Sequence, residues 1–280
     1  MIRSDWGDWL PREIEDFDPE TICLWYLGCN GLVVKSSDGT ILYIDPYLGI
    51  GDPPRTIRMI PIPFDPGSVG TADAILATHE HTDHVHGPSQ APIMAATGAR
   101  FFGPAASVTK AVESERWSES FAIDDEAFST VSIGDTFEVG DMSVSVEIAH
   151  DPDAVDPVSY VIQTEDVTIL HAGDSKPTDA FEQLGSKYDI DVGILAFGSE
   201  GMIPDKQSRE PKPTKWYNDE NDIIRAANDL RIGTLVPTHW DMWKGLTADP
   251  TAVISHSRSF EWPKSVRILE IGDRYEIDSE

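Results

Sequence analysis

Cysteine is nearly absent from this chain: Cys23 and Cys29 are the two among 280 residues. They form no Cys-x-x-Cys pair and no disulfide framework, so both read as small buried apolar residues rather than ligands. Lysine and arginine are scarce as well, 21 against 49 aspartates and glutamates, for a formal net charge of −28. A polynucleotide binder carries a basic footprint; none is visible here, which disfavours nucleic acid as a partner, and an anionic membrane surface with it. No apolar run approaches the length of a membrane span, and the N-terminus has no secretory-type apolar segment. The expectation is a soluble cytoplasmic protein. Two catalytic signatures are also missing: the Gly-x-Ser-x-Gly elbow and the Gly-x-x-x-x-Gly-Lys-Ser/Thr phosphate loop.

What the chain does have is dispersed acid and enough apolar residue, 40%, for a sizeable core. Acids spread along the whole length read as a solvated surface of halophilic type rather than an interaction tail. No linker with a shift in composition divides the chain, so residues 1–280 read as one domain, with 1–20 as an N-terminal helical extension. Strand patterns at 22–27, 31–35 and 41–45 open it, and 46–71 reads as a long Pro/Gly-rich loop. Helices are expected near 90–97, 105–113, 178–184, 219–230 and 250–257. Strands are expected near 74–77, 101–102, 120–123, 136–139, 142–148, 159–163, 167–170, 192–197 and 233–237, with a closing strand pair within 266–276. Residues 199–216 read as a polar loop. Strands with intervening helices imply sheets covered by helices, an α/β arrangement.

The dense chemistry lies at residues 79–84, His-Glu-His-Thr-Asp-His, just after the apolar run 74–77. Side chains alternate along a strand end, so His79 and His81 can point the same way. Asp83 and His84 lie on the turn beyond and can face a second point. Imidazole and carboxylate donors of this kind suit Zn²⁺, Mn²⁺ or Fe²⁺. Further candidates recur at the ends of expected strands: Asp45, His150, Asp174 and His239. Each alone reads as a turn or structural residue, and together they reinforce one another.

The sequence 79–84 resembles the His-x-His-x-Asp-His signature of the metallo-β-lactamase superfamily. Asp45 is similar to its first motif, His150 to the third, Gly173-Asp174 to the fourth and His239 to the fifth. More narrowly, residues 5–10, 24–31 and 237–243 resemble the L-ascorbate-6-phosphate lactonase family. The resemblance implies a four-layer αββα sandwich with one or two divalent metal ions, Zn²⁺ or Mn²⁺ with Fe²⁺ sharing the donors, at one edge of its sheets. His79, His81 and His150 would hold one ion, with Asp151 directly after His150 as the alternative. Asp83, His84 and His239 would hold a second, Asp174 would bridge, and Asp45 would orient a ligand histidine. Asp83, Asp174 and His239 are then the expected catalytic residues.

The implied chemistry is attack of a metal-activated hydroxide on an ester or lactone carbonyl, a phosphorylated sugar lactone falling within that class. Placement near strand ends suggests Asn30, Glu200, Trp240 and Asp241 as substrate contacts, with Trp25, Lys215, Trp216 and Tyr217 behind them. Arg55, Arg58, Lys206 and Arg209, on the two long loops, offer charge for a phosphate. The alternative is a phosphodiesterase or RNA-processing nuclease of the same superfamily. A small-molecule substrate is the expected partner, and a Trp-rich N-terminal segment, if exposed, offers a contact for a homo-oligomer.

Overall fold

The computed structural model describes residues 2–277. Two large sheets face each other. The first carries β1 (Ile22–Gly28), β2 (Gly31–Ser36), β3 (Ile41–Ile44), β4 (Ala74–Leu76), β5 (Arg100–Gly103), β6 (Phe128–Thr130) and β16 (Arg274–Ile277), in the order β16-β1-β2-β3-β4-β5-β6. The second carries β7 (Thr136–Val139), β8 (Met142–Ile148), β9 (Val158–Gln163), β10 (Thr168–His171), β11 (Val192–Ala196), β14 (Thr234–Thr238) and β15 (Ser265–Val266), in the order β15-β14-β11-β10-β9-β8-β7. Each sheet is antiparallel at one side and parallel at the other.

Alternation builds the layers. Ile22, Leu24 and Tyr26 of β1 point between the sheets, against Val144, Val146, Tyr160, Ile162 and Ile169 of the other sheet. Cys23, Trp25 and Leu27 point outward into a second core. That outer core is closed by α1 (Trp9–Asp16), through Leu10 and Ile14, and by α2 (Gly87–Thr97), through Ala91, Ile93 and Met94. The short helices α3 (Ala105–Thr109) and α4 (Trp117–Phe121) follow on the same side, with Trp117 wholly buried. The far face of the second sheet packs on α5 (Ala180–Lys187), α6 (Glu220–Asp229) and α7 (Thr251–Ser257) through Phe181, Ile223, Ile224 and Val253. Each such side chain, fully buried, contributes roughly 1.5–3 kcal/mol. The result is helix, sheet, sheet, helix.

Three local expectations are corrected. Residues 120–123 do not make a strand, because α4 runs to Phe121; Trp117, whose indole N–H donates to Glu115 at 2.8 Å, pins that helix. Four residues are too few for alternation to separate strand from helix. The 199–216 segment is not plain loop. It contains a ribbon, β12 (Gly201–Pro204) with β13 (Pro211–Thr214), whose prolines sit where an isolated pair leaves N–H groups unpaired. The last two strands do not pair together: β15 joins β14 and β16 joins β1, on different sheets.

Trp25 belongs to the outer core, where its indole N–H donates to Glu13 of α1. It is therefore packing, not a substrate contact. Trp9 of the N-terminal helix is 53% exposed. Among the described residues, no helix is long and apolar enough to cross a membrane.

Candidate metal centre and its cavity

Parallel strands end together, and that edge collects the polar residues. Asp45 follows β3, residues 78–84 follow β4, Asp151 follows β8, Asp174 follows β10 and His239 follows β14. Ligand sites on open α/β sheets form outside such carboxyl ends. Asp45 and His239 both take positive φ, 46° and 66°, as does Cys29 at 60°. Left-handed backbone in non-glycine residues costs about 1–3 kcal/mol each and persists where surrounding structure holds it. Here His239 N–H donates to the Cys29 carbonyl at 2.8 Å, joining two of the three. Gly173, at φ 58°, lets the Asp174 turn approach Thr78 so closely that a β-carbon would lie 2.9 Å from that side chain.

Asp45, wholly buried, organises the loop after β4. One oxygen accepts from the Thr78 N–H at 2.9 Å. The other accepts from Thr78 Oγ1 at 2.6 Å and from His84 Nδ1 at 2.8 Å. Because Thr78 Oγ1 gives its proton to Asp45, it is free to accept from His79 Nδ1 at 3.0 Å. Both imidazoles are thereby turned with Nε2 toward the interior. Asn30 performs the same service for Asp174, donating to its Oδ1 at 3.2 Å while accepting from Thr238 Oγ1 at 2.6 Å. The ring of Tyr217 stacks on that of His239, centroids 4.0 Å apart.

Two groups of donors result, each with its atoms within 4.8 Å of one another: Asp83, His84, Asp174 and His239; and His79, His81 and Asp151. In the first, Asp174 lies 3.3 Å from His84 Nε2 and 3.4 Å from His239 Nε2, and Asp83 lies 3.7 Å from His239 Nε2. In the second, Asp151 lies 3.5 Å from both His79 Nε2 and His81 Nδ1. His150 is the correction. Its side chain is exposed and belongs to neither group, while Asp151 takes the interior position. The physical cause is the main chain: His150 N–H donates to Ser175 Oγ at 2.7 Å and its carbonyl accepts from Lys176 N–H at 2.8 Å. Those bonds fix residue 150 outward and residue 151 inward.

The electrostatics follow from crowding. Burial alone would lower the His84 pKa, but Asp174, Asp45 and Asp83 outweigh it and hold it well above the ordinary range. Burial also tends to raise Asp174, yet His239 and His84 hold it well below the usual carboxylate range. Burial, with His84 beside it, pushes His79 well down, and burial lowers His239. Burial and the Asp174 charge raise Asp151. A divalent cation fits this donor set on one direct observation: His84 Nε2 is buried and makes no well-aligned hydrogen bond, though its ring is locked and aimed between Asp174 at 3.3 Å and Asp83 at 3.9 Å. Imidazole nitrogen with carboxylate oxygen suits Zn²⁺, Mn²⁺ or Fe²⁺.

Both groups face a cavity of about 610 Å³, with Asp83, His81, Asp151 and Asp174 in its lining. Tyr47, Trp216, Tyr217 and Trp243 give it aromatic walls, and Arg55, Lys110 and Lys206 bring positive charge. The expected substrate contacts divide. Trp216, Tyr217, Arg55 and Lys206 line the cavity. Asn30 is buried behind Asp174, Trp240 packs on the helical side of the second sheet, and Glu200 is exposed away from the lining. Asp241 accepts from Tyr26 at 3.1 Å, and burial raises its pKa to about 6. Lys215 is held by Asp219 and Asp222 at 2.6 and 2.7 Å. Arg58 donates to the carbonyls of Tyr47, Gly49, Ile60 and Pro61, so its charge orders the 46–62 loop. Arg209 pairs loosely with Asp52, 3.9 Å across the rim. Residue type and spacing gave no sign of Tyr47, Lys110 or Asp153 as lining residues. Trp243 lay within a segment already noted.

Comparison with known proteins bears on the family and the fold. Residues 40–240 match the model of the Beta-lactamase superfamily domain. The chain is 28% identical to the probable L-ascorbate-6-phosphate lactonase of Escherichia fergusonii over 295 aligned positions, covering 89% of this chain and 78% of that protein. A metallo hydrolase from the archaeon Ignicoccus hospitalis superposes with a TM-score of 0.65 at 20% identity, over 92% of this chain and 99% of the other. The diiron β-hydroxylase CmlA of Streptomyces venezuelae superposes at 0.64 with 15% identity, over 92% of this chain and 55% of its own.

Proposed function

The chain belongs to the metallo-β-lactamase superfamily, and from that premise we propose that it is a metal-dependent hydrolase of a small ester or lactone. The observation that carries the reading is the locked, buried Nε2 of His84, which makes no well-aligned hydrogen bond, with Asp83, Asp174 and His239 gathered around it. Asp83, His84, Asp174 and His239 would hold one cation, and His79, His81 and Asp151 a second. Such ions, when bound, supply Lewis acidity and bring the pKa of coordinated water toward neutrality.

The chain's own residues do the rest. Asp45 and Thr78 fix the tautomers of His84 and His79. Tyr217 holds the plane of the His239 ring. The aromatic walls keep bulk water from the acyl group, which strengthens the interactions inside. Asp83, 18% exposed, is the carboxylate of its group most open to the cavity and is assigned the handling of the water proton. The net reaction adds water across the acyl C–O bond: the acid keeps the water oxygen and the alcohol leaves with a proton.

Within this class the reading favours a phosphorylated sugar lactone and Zn²⁺ or Mn²⁺, with Fe²⁺ sharing the donors. The likeness to a probable L-ascorbate-6-phosphate lactonase supports it. So does Arg55, whose guanidinium lies 4.9 Å over the Trp216 ring and whose Nε has no partner. Lys206 adds charge on the rim.

The test is metal analysis of the purified full chain beside a panel of lactones, phosphodiesters and thioesters. Bound divalent metal and hydrolysis of lactones, fastest when phosphorylated, are expected. His239→Ala should lose one metal equivalent and at least about 100-fold in turnover. Preferential cleavage of phosphodiesters would replace the reading with the nuclease alternative. Parent-rate lactone hydrolysis by His239→Ala would end the metal scheme.

A further inference from the structure

Lys110 opens a widened helical turn, 110–114, closed by a bond from Glu115 N–H to its carbonyl five residues back. Such turns, rare within α-helices, are frequent at functional sites. The Lys110 side chain is four-fifths buried at the cavity wall, yet it reaches away from α3 to the loop after β4. Its ammonium donates to the Glu80 carbonyl at 2.8 Å and to Thr82 Oγ1 at 3.3 Å. Those two groups flank His81.

Glu115 completes the arrangement. It lies 3.9 Å from the Lys110 ammonium and accepts from the Gly87 N–H at 2.6 Å and the Trp117 indole at 2.8 Å. Gly87 begins α2, three residues beyond His84. The pair therefore ties Glu80 and Thr82 within the histidine segment, and the start of the helix after it, to a buried tryptophan. The other histidines of the segment have closer anchors: His84 on Asp45, and His79 on Thr78. Among the described residues, the His81 side chain has outside its own donor group only the Asp153 carbonyl, 3.2 Å from its Nε2, while its main-chain carbonyl accepts from the N–H groups of His84 and Val85 at 3.0 and 2.8 Å. Its ring is placed chiefly by where the main chain puts residue 81.

We propose that Lys110 is a positioning residue for the His79–His81–Asp151 group: it sets His81 by gripping the Glu80 carbonyl before it and the Thr82 hydroxyl after it, with Glu115 as its anchor. The proposal rests on reading the cluster as a two-cation centre. It goes beyond that reading by assigning the second group's affinity to a residue that touches neither ion.

The test titrates Zn²⁺ into the metal-stripped full chain, parent and variants, by calorimetry with a competing chelator, alongside melting of the stripped protein. Lys110→Met should weaken one of two equivalents by about 10- to 100-fold and leave the other within about threefold, as loss of groups that orient ligands does elsewhere. Lys110→Arg, which keeps a cation of similar reach, should recover most of the loss. Glu115→Gln, which can still accept from Gly87 and Trp117, should show a smaller loss at the same equivalent. The stripped Lys110→Met protein should melt within a few degrees of the parent, whereas a merely structural lysine would lower that temperature and both equivalents together. Two parent-like equivalents in Lys110→Met, or equal weakening of both with a collapsed melting temperature, overturns the proposal. A parent chain that takes up no metal sinks the two-cation reading itself.

Discussion

The two halves of the cluster are built to different standards. The Asp83–His84–Asp174–His239 half draws on three separate segments, and its two imidazoles are wholly buried. Each is held from behind: His84 by Asp45, His239 by the stacked Tyr217, and Asp174 by Asn30. The His79–His81–Asp151 half draws on two segments, and its His81 side chain is 35% exposed. It also offers one carboxylate, Asp151, where its counterpart half offers two. The difference teaches where rigidity comes from. A ligand at a parallel strand end with a buried partner is fixed by the fold, whereas a ligand on a turn is fixed by whatever grips that turn.

The harshest way to break the contrast is to unfasten the well-built half. Asp45 accepts from three donors, and two of them, Thr78 Oγ1 and His84 Nδ1, share one oxygen. In Asp45→Asn at most one side-chain atom accepts, so at least one buried donor is stranded at about 1–3 kcal/mol. We expect a lower melting temperature, loss of metal from this half by about 10- to 100-fold in affinity, and a matching fall in turnover. Parent-like loading and activity would mean that the half does not depend on Asp45, and the contrast would fall.

A milder change sharpens it from the other side. Asp151→His gives the open half a third imidazole. Carboxylate donors suit Mn²⁺, and imidazole suits Zn²⁺. The ratio of Zn²⁺ to Mn²⁺ taken up in competition should therefore rise on the order of tenfold in that half and stay near the parent value in the other. Metal analysis after loading from equal concentrations reads this directly. An unchanged ratio would remove residue 151 from the ligand set.

How much of this was legible in the residues themselves follows the same line. The layers were readable because alternation in β8 and the apolar runs of β1, β4 and β11 report burial, which is a local property. Asp45, the 79–84 segment, Asp174 and His239 stood out because each follows a strand whose end the pattern marks. The rest depended on contacts between distant residues. Arg55 and Arg58 look alike in sequence, yet one faces the cavity and the other is consumed by loop carbonyls. The β12–β13 ribbon was hidden by its prolines, which argue against a strand wherever both edges must pair. Lys110 sits 28 residues beyond Thr82, and only the fold brings them together.

The finest case is the pair His150 and Asp151, and it yields the smallest predicted effect. The regular alternation of β8 stops at Ile148, so nothing in the sequence fixes which of the next residues turns inward. The decision is made by Ser175 and Lys176, which directly follow Asp174 and bind the main chain of residue 150. A histidine beside a metal cluster is chemically the better-known ligand, and here geometry overrules it. His150→Ala should accordingly leave metal stoichiometry unchanged, turnover within about twofold and stability within about 0.5 kcal/mol, as an exposed side chain allows. Asp151→Ala, one residue on, should weaken the open half by about 10-fold or more. Loss of metal in His150→Ala with retention in Asp151→Ala would reverse the assignment, and with it the claim that the open half carries a carboxylate at all.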